Sequence, residues 1–271
     1  MIDYTAGQTL LKVDNVSLNY DGRPVLKNVN AEIKKISRPG VVTGQVVGFL
    51  GPSGCGKTSL FRCIAGLHQP DAGKITLSGG DKPVEAGEVG VVAQNYPLFE
   101  HRTVYSNLML AAEPRYKKEA RERVVELLHE FDLADKSSLY PAQLSGGQRQ
   151  RCAILQQILC SEHFLLMDEP FSGLDLIMLE KTCTLLSRIA NRDDLNTILV
   201  VTHDIQAAAS ISDHIWLMGQ DVGQDGKKIP GARIMKEYNL IDRDLCWHKD
   251  IMLTREFSNF VQEVREEFRR L

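Results

Sequence analysis

The sequence of 271 residues has little of three features: long apolar runs, paired cysteines and excess positive charge. No stretch reaches the roughly 20 apolar residues that cross a bilayer, and the first residues lack a signal-peptide pattern, so we expect any membrane part on another chain. The six cysteines form no C-x-x-C pair, which argues against a metal or disulfide framework and favours a reducing compartment. The net charge of −3 argues against a nucleic-acid-binding protein.

Short apolar runs typical of buried strands recur along the chain and are separated by helical patterns. Four of these runs lie at 45–50, 88–94, 164–170 and 197–204. Alternating segments predict two antiparallel hairpins, one from 10–20 and 24–33, the other from 213–219 and 232–238. Buried strands that alternate with helices predict an α/β fold with a parallel sheet at its core.

The middle and the end of the chain have helical patterns. Residues 103–160 form a helical block, which predicts an inserted helical subdomain, and 117–131 within it is amphipathic. The apolar residues that 117–131 groups towards one face are Val124, Val125, Leu127, Leu128 and Phe131. A second apolar stripe lies on 255–271. Packing on its own domain is the favoured interpretation of this stripe, and contact with a partner is the alternative.

The stretch GPSGCGKTS at 51–59 follows a predicted strand and precedes a helical pattern from Lys57 to about Leu67. It fits G-x-x-x-x-G-K-[ST], in which glycines let backbone N–H groups wrap around phosphates at a helix N-terminus. Lys57 is expected to reach the β- and γ-phosphates, and the Thr58 hydroxyl to bind Mg²⁺. The candidate nucleotide-binding residues are Gly51, Pro52, Ser53, Gly54, Cys55, Gly56, Lys57, Thr58 and Ser59. A plain glycine-rich turn is the alternative.

Polar side chains follow three other predicted strands. Asp168 and Glu169 follow FLLM, Gln94 ends EVGVVAQ, and His203 ends TILVVTH. Ligands of parallel sheets bind at the carboxyl ends of the strands, so Asp168 is expected to hold Mg²⁺ and Glu169 to act as the general base for an attacking water. His203 is a candidate for contacts to the γ-phosphate and this water, and Gln94 for sensing the water and Mg²⁺. An ordinary strand-end position is the alternative for each.

A second glycine-rich turn, LSGGQ at 144–148, also precedes a helical pattern. Two adjacent glycines behind a serine are typical of a backbone anion cradle at a helix N-terminus. A serine-capped helix start with flexible glycines is the alternative. Two phosphate cradles in one chain raise the question of what the second one binds.

Taken in order, the motifs GPSGCGKTS, Gln94, LSGGQ, LLMDEP, SGLD and THD resemble those of the ATP-binding subunit of ATP-binding cassette (ABC) transporters. The resemblance covers about residues 10–240 and implies a P-loop NTPase fold. That fold has a RecA-like parallel core, an N-terminal antiparallel β subdomain and an inserted helical subdomain. The expected division of the single domain 1–271 is a core of 1–94 and 164–240, a helical subdomain of 95–163 and a C-terminal helical extension of 241–271.

The resemblance also implies how the two cradles work together. In this family two ATPase subunits pack head to tail, and ATP bound to the Lys57 loop of one is covered by the LSGGQ turn of the other. Asp175 is expected across this interface, and Tyr20 lies where the family places an aromatic ring that stacks on adenine. The candidate ligands in trans are Ser145, Gly146, Gly147 and Gln148.

The implied activity is ATP hydrolysis with Mg²⁺, which powers solute transport through ATP-driven dimerisation. The implied partners are a second ATPase subunit, either a copy or a paralogue, and permease subunits with a substrate-binding protein. The chain is then expected in the cytoplasm, at the inner face of the membrane. Its last segment resembles the tail of nitrate, sulfonate and taurine importer ATPases, which does not name a substrate. A soluble ABC ATPase, for instance one of iron–sulfur assembly, is the alternative.

Three stretches depart from the family pattern: 34–45, 154–159 and 219–232. The first predicts a surface excursion, the second lacks an arginine that is frequent in the family, and the third lengthens the late hairpin. In transporters, the segment equivalent to 94–108 forms a groove for a helix of the membrane subunit. The apolar residues expected to line this groove are Tyr96, Leu98 and Phe99. Packing of the helical subdomain on the core is the alternative.

Overall fold

The computed structural model describes residues 3–161, 163–174, 176–246 and 250–271. The strands in these ranges are β1 (Thr5–Tyr20), β2 (Arg23–Ser37), β3 (Gln45–Leu50), β4 (Ala72–Leu77), β5 (Gly90–Val92), β6 (Phe164–Asp168), β7 (Thr197–Thr202), β8 (His214–Val222) and β9 (Lys228–Asn239). The α-helices are α1 (Lys57–Ile64), α2 (Val104–Tyr116), α3 (Ala120–Glu130), α4 (Gly146–Cys160), α5 (Leu176–Ala190), α6 (Ile205–Ile211) and α7 (Arg255–Arg270). The strands form one sheet in the order β4-β1-β2-β9-β8-β3-β7-β6-β5.

The strands β8, β3, β7, β6 and β5 run parallel to one another at the core of this sheet. Every residue of β3 and β7 is buried, as expected for parallel strands that are covered on both faces. Leu50 pairs with Thr202 and Asp168 pairs with Val201, so β3, β7 and β6 end at nearly the same level. The loops that follow these three strands therefore meet at one edge of the sheet.

The antiparallel strands continue this sheet and do not form one of their own. β1 and β2 are joined by a two-residue turn in which Asp21 and Gly22 have φ angles of 50° and 74°, as in the tightest hairpins. β8 and β9 form the second hairpin, and a parallel pair of Leu26 with Ala232 joins β9 to β2. The predicted α/β fold and both hairpins are confirmed. The strand predicted at 88–94 is shorter than expected, since β5 spans only Gly90–Val92.

Helices α2, α3 and α4 lie between β5 and β6 in the chain and share an apolar core. Val124, Leu127, Leu128 and Phe131 are buried in this core, as the amphipathic pattern of 117–131 predicts. The prediction is wrong for Val125, which is exposed. Each residue of a helix turns the side chain by about 100°, which carries Val125 away from the face that Val124 and Leu128 share.

The C-terminal stripe packs on its own chain, which confirms the favoured interpretation. Thr254 caps α7 by accepting a hydrogen bond from the Phe257 amide at 3.2 Å. The apolar side chains of α7 that are buried are Phe257, Phe260, Val261 and Val264. The rings of Phe260 and Tyr238 meet edge to face with centroids 5.4 Å apart. Helix α7 is therefore fixed to β9.

Two of the three stretches that depart from the family pattern extend the sheet. In 34–45, β2 continues to Ser37, and an isolated bridge between Arg38 and Val41 closes the turn that follows. The Thr43 amide then donates to Asp194 Oδ1 at 2.8 Å, which ties this turn to the loop before β7. In 219–232, β8 and β9 continue to a short tip at 223–227.

No helix in the described ranges is both long enough and apolar enough to span a bilayer. The division of the chain into a core, a helical subdomain and a C-terminal extension stays a prediction.

Candidate nucleotide site

The 51–59 loop joins the end of β3 to the start of α1 and is shaped by its glycines. Gly56 immediately precedes α1 with a φ of 100°, a backbone conformation that favours glycine. A Cβ on Gly51 would lie 2.7 Å from the Met218 carbonyl oxygen, and one on Gly56 would lie 3.1 Å from that of Val25. The loop thus packs closely on neighbouring backbone. It lies at the N-terminus of α1, where free backbone N–H groups can bind an anion.

The Lys57 side chain turns back over this loop. It is only 8% exposed, and its Nζ donates to the carbonyl oxygens of Gly51 at 2.7 Å and Pro52 at 3.0 Å. The ammonium group is thereby held beside the backbone that forms the cradle. An ammonium in this position attracts the negative charge of a polyphosphate.

Cys55 is the one loop residue whose side chain points into the protein core. Its Sγ lies 3.9 Å from the Met218 carbonyl oxygen on β8, and burial raises the pKa of the thiol. The thiol is therefore an inert packing group. As a candidate ligand, Cys55 offers its backbone.

Asp168 ends β6 and Glu169 follows it, at the same edge of the sheet as the loop after β3. Burial, and next the charge of Glu169, raises the pKa of Asp168, whereas the charges of Lys57 and Arg62 act in the opposite direction. Glu169 has a φ of 49°, an uncommon value for a residue with a side chain, and such values concentrate at functional sites. Its amide donates to the Val201 carbonyl oxygen at 2.8 Å, which fixes this backbone against β7.

Both oxygens of the Glu169 carboxylate have partners at the end of β7. His203 Nδ1 lies 2.8 Å from Oε1, and Thr202 Oγ1 donates to Oε2 at 3.0 Å. The Thr202 hydroxyl also accepts a hydrogen bond from the Asp204 amide at 3.1 Å. The structure thus brings Glu169 and His203 together. It also adds Thr202, which the sequence interpretation missed, although its place between a buried strand and His203 was a signal.

Tyr20, Gln94 and Thr58 are exposed. Tyr20 ends β1, is 39% exposed, and has its ring edge-on to His68 with centroids 5.6 Å apart. Gln94 lies exposed in the turn after β5. Thr58 is exposed in the first turn of α1. Together with Asp168, Gln94 and Thr58 offer the oxygen donors that Mg²⁺ prefers, so the chemistry of this set fits the ion.

The 145–148 turn forms a second cradle, separate from the first. Ser145 Oγ accepts from the Gln148 amide at 3.3 Å, and Gln148 Oε1 accepts from the Ser145 amide at 2.9 Å, a capping box that starts α4. Ser145 and Gly146 are exposed, and a Cβ on Gly147 would lie 2.9 Å from Met178 Cε. No hydrogen bond links this turn to the 51–59 loop in the described part of the chain. Asp175 lies outside the described residues.

Strand, glycine loop and helix, with two carboxylates at the end of β6 on the same edge of the sheet, define the class of P-loop nucleotide-binding proteins. The sequence profile of the family described as "ABC transporter" matches residues 35–172, and the chain belongs to this family.

Curated relatives resemble most of this chain but are longer. The sulfate/thiosulfate import ATP-binding protein CysA of Gloeobacter violaceus is 39% identical over 213 residues, which cover 77% of this chain and 59% of that protein. The spermidine/putrescine import ATP-binding protein PotA of Marinobacter nauticus is 39% identical over 213 residues, which cover 77% of this chain and 55% of that protein. The chain thus spans less than two thirds of the length of these relatives.

Two solved structures share the fold. CbiO1 of Clostridium perfringens, part of the ABC transporter complex cbiONQ, has a TM-score of 0.71 at 27% identity and covers 87% of this chain and 90% of that one. The ATP-binding cassette MJ0796 is a dimer in a post-hydrolysis state bound to ADP and Pi. It has a TM-score of 0.66 at 29% identity, and the match covers 85% of this chain and 99% of that one. These likenesses confirm the predicted P-loop NTPase fold.

Proposed function

We propose that this chain is an ATP-hydrolysing subunit of an ABC importer, active as a head-to-tail dimer with a copy or a paralogue. The observation that carries the proposal is the presence of two cradles at helix N-termini, at 51–59 and 145–148, without a hydrogen bond between them in the described residues. A second subunit places the 145–148 turn over ATP held by the 51–59 loop. The similarity to a dimeric ATP-binding cassette bound to ADP and Pi supports this arrangement.

In this site the first cradle binds the phosphates and the second covers them. Backbone amides of 51–59 and the Lys57 ammonium hold the β- and γ-phosphates. Ser145, Gly147 and the N-terminus of α4 from the partner cap the γ-phosphate. Asp175 is expected near the partner's 51–59 loop, and Tyr20 stacks on adenine.

The catalytic group for hydrolysis is Glu169. It accepts the proton of the attacking water, and Thr202 and His203 hold its carboxylate in place through the contacts described above. His203 also contacts the water and the γ-phosphate. Thr58, Asp168 and Gln94 would hold Mg²⁺, which supplies positive charge to the phosphate oxygens when it is bound.

The permease subunits bind the surface formed by 94–108. Phe99 is 45% exposed there, whereas Tyr96 and Leu98 pack on the apolar core of the helices. Phe99 is therefore the apolar residue of this segment that is best placed for a partner. The complex lies at the inner face of the membrane and receives its solute from a substrate-binding protein.

The relatives are named for sulfate/thiosulfate and for spermidine/putrescine, and the resemblance of the last segment to nitrate, sulfonate and taurine importers stays a prediction. No observation in the described residues or the comparisons favours the soluble alternative.

Replacement of the catalytic carboxylate tests this function. Glu169→Gln keeps the shape of the side chain but cannot take up a proton, so we expect ATP hydrolysis to fall at least about a hundredfold. ATP binding should persist, and sedimentation should show a dimer that forms only with ATP. Glu180→Gln, which changes an exposed carboxylate on α5, should behave as wild type. Hydrolysis by Glu169→Gln at the wild-type rate would refute the general-base role.

A further inference from the structure

Three distant parts of the chain meet at the carbonyl oxygen of Pro170. Tyr96 lies two residues beyond Gln94, Gln150 lies in the second turn of α4, and Pro170 follows Glu169. Tyr96 Oη donates to Pro170 O at 3.2 Å. Gln150 Nε2 donates to the same oxygen at 3.1 Å and to Tyr96 Oη at 2.9 Å. The three groups form a closed ring of hydrogen bonds, which we name the Pro170 bridge.

Gln150 and Pro170 of the bridge are buried, Tyr96 is half-buried, and the polar atoms of the bridge have partners. Gln150 is only 3% exposed, and its Oε1 accepts from Thr182 Oγ1 of α5 at 3.4 Å. Removal of one partner would leave a buried polar group unpaired, which costs about 1–3 kcal/mol. The ring is therefore a rigid connection.

The backbone on either side of this bridge is also constrained. Tyr96 has a φ of 46° and Glu169 a φ of 49°, and such residues keep these angles only where their surroundings hold them. Arg149, next to Gln150 on α4, donates from Nε to the Tyr96 carbonyl oxygen at 3.2 Å and from its guanidinium to Glu100. Tyr96 is thus held by α4 at both its backbone and its hydroxyl.

We propose that Gln150 and Tyr96 are positioning residues, through which the start of α4 sets the position of Glu169 in the same chain. This inference rests on the proposed function, in which the 145–148 turn covers ATP of one composite site while Glu169 acts in the other. The first five residues of α4, Gly146–Gln150, lead from Ser145 to the Pro170 bridge, and Pro170 is the residue next to Glu169. When ATP seats against Ser145, the small shift of α4 reaches Glu169 through the bridge. The two composite sites of a dimer are thereby coupled.

Removal of a single hydroxyl tests the coupling. Tyr96→Phe deletes the Oη of the bridge and keeps the ring in the apolar core. We expect kcat to fall about five- to tenfold because Glu169 is no longer held in place, with the KM for ATP within about twofold of wild type. The Hill coefficient for ATP should fall towards unity. Tyr116→Phe, at the end of α2 and outside the bridge, serves as the matched control.

A second variant separates positioning from stability. Gln150→Leu removes all hydrogen bonds of the Gln150 amide at similar volume and should lower kcat more than Tyr96→Phe does. Thermal unfolding is measured for both variants, because a purely structural role would lower the unfolding temperature and leave kcat per folded molecule and cooperativity unchanged. If Gln150→Leu does not fold, Tyr96→Phe alone decides the matter.

The outcomes distinguish this inference from the function on which it rests. If the wild type hydrolyses ATP and Tyr96→Phe has the same kcat and Hill coefficient, the positioning role of the Pro170 bridge is refuted. The proposed function is then unaffected. Wild-type protein that neither hydrolyses ATP nor dimerises with it would overturn both. A fall in kcat and cooperativity in Tyr96→Phe but not in Tyr116→Phe is the result we expect.

Discussion

At the scale of single residues, the Glu169 carboxylate depends on its neighbours at the end of β7. Thr202 Oγ1 donates to Oε2 at 3.0 Å and His203 Nδ1 lies 2.8 Å from Oε1. His203 has a side chain that is 63% exposed, whereas Thr202 is buried. The buried hydroxyl is therefore the firmer of the two constraints.

Thr202→Val should weaken catalysis without weakening ATP binding. Valine keeps the shape but leaves Oε2 without its donor, so we expect kcat to fall on the order of tenfold through misplacement of the carboxylate. Thr202→Ser restores the hydroxyl and should recover most of the rate. Steady-state kinetics with direct measurement of ATP affinity checks this. Equal kcat for the valine and serine variants would contradict a role for the hydroxyl.

The ionised Asp168 carboxylate is expected to lower the stability of the fold while it serves as a ligand for Mg²⁺. A carboxyl whose pKa is raised on folding, as burial and Glu169 raise that of Asp168, favours the folded state only while it is protonated. At neutral pH the ionised group destabilises the fold, so Asp168→Asn should raise the unfolding temperature by roughly 1–3 °C. The gain should shrink as the pH falls through the raised pKa, because Asp168 then also becomes neutral.

The same variant should lose the stabilisation that MgATP gives to the wild type. Thermal unfolding with and without MgATP at neutral pH measures both effects, and Asp225→Asn at the tip between β8 and β9 is the exposed control. If MgATP stabilised Asp168→Asn as strongly as the wild type, the assignment of Asp168 as a metal ligand would be wrong.

The sequence predicts the position of a residue well where a motif fixes the local backbone. It predicts the role of a residue poorly where that role depends on contacts with distant parts of the chain. Lys57, Asp168 and Glu169 follow from the motif and the strand pattern, because each position relative to the sheet edge is local. Thr202 and Gln150 become candidates only through their hydrogen bonds to Glu169 and Pro170, which lie 33 and 20 residues away in the chain. Such partners become visible only when the strands and helices are assembled.

At the scale of elements, helix α7 is attached to the sheet by a small set of aromatic contacts. Phe260 is almost fully buried and meets Tyr238 of β9, and Arg243 stacks on both rings. The apolar stripe was predictable from its helical period, but the surface against which it packs depends on the tertiary fold.

Phe260→Ala should lower the stability of the isolated chain. Loss of a buried phenylalanine costs about 3–5 kcal/mol, which corresponds to a fall in unfolding temperature of roughly 10 °C for a domain of this size. Phe268→Ala, in a half-buried position on the same helix, should cost much less. Unfolding by heat or urea compares the two. Wild-type stability of Phe260→Ala would mean that the stripe serves a partner and not its own sheet.

Element boundaries depart from the sequence pattern for physical reasons. The predicted strand runs from 88 to 94, but β5 spans only Gly90–Val92. The reason is that only these three residues pair with β6, which is the single neighbour of β5 at the edge of the sheet. β2 extends to Ser37 beyond its predicted end because β1 continues beside it to Thr5. Pairing partners, which the local sequence does not specify, set both limits.

At the scale of the whole molecule, the chain has two glycine-rich cradles at helix N-termini, with no hydrogen bond between them in the described residues. The 51–59 loop and Glu169 lie at the edge of the parallel sheet, and the 145–148 turn lies at the start of α4 in the helical region. The motif order predicted both cradles. In the proposed function, assembly of two subunits brings the two cradles together.

Mixing of two inactive variants tests assembly in trans most directly. Lys57→Ala spoils the first cradle and Ser145→Arg the second, so each variant alone should be inactive. An equal mixture forms mixed dimers in about half of cases, and each such dimer has one composite site with both halves intact. At most about a quarter of the wild-type ATPase rate should therefore return, because the single intact site of a mixed dimer lacks an intact site to which it is coupled. Lys57→Ala mixed with Glu169→Gln is the matched control and should stay inactive, since both changes lie on the same side of the composite site. Recovery in the first mixture alone is the predicted result, and no recovery in either mixture would contradict a site shared between two copies of this chain.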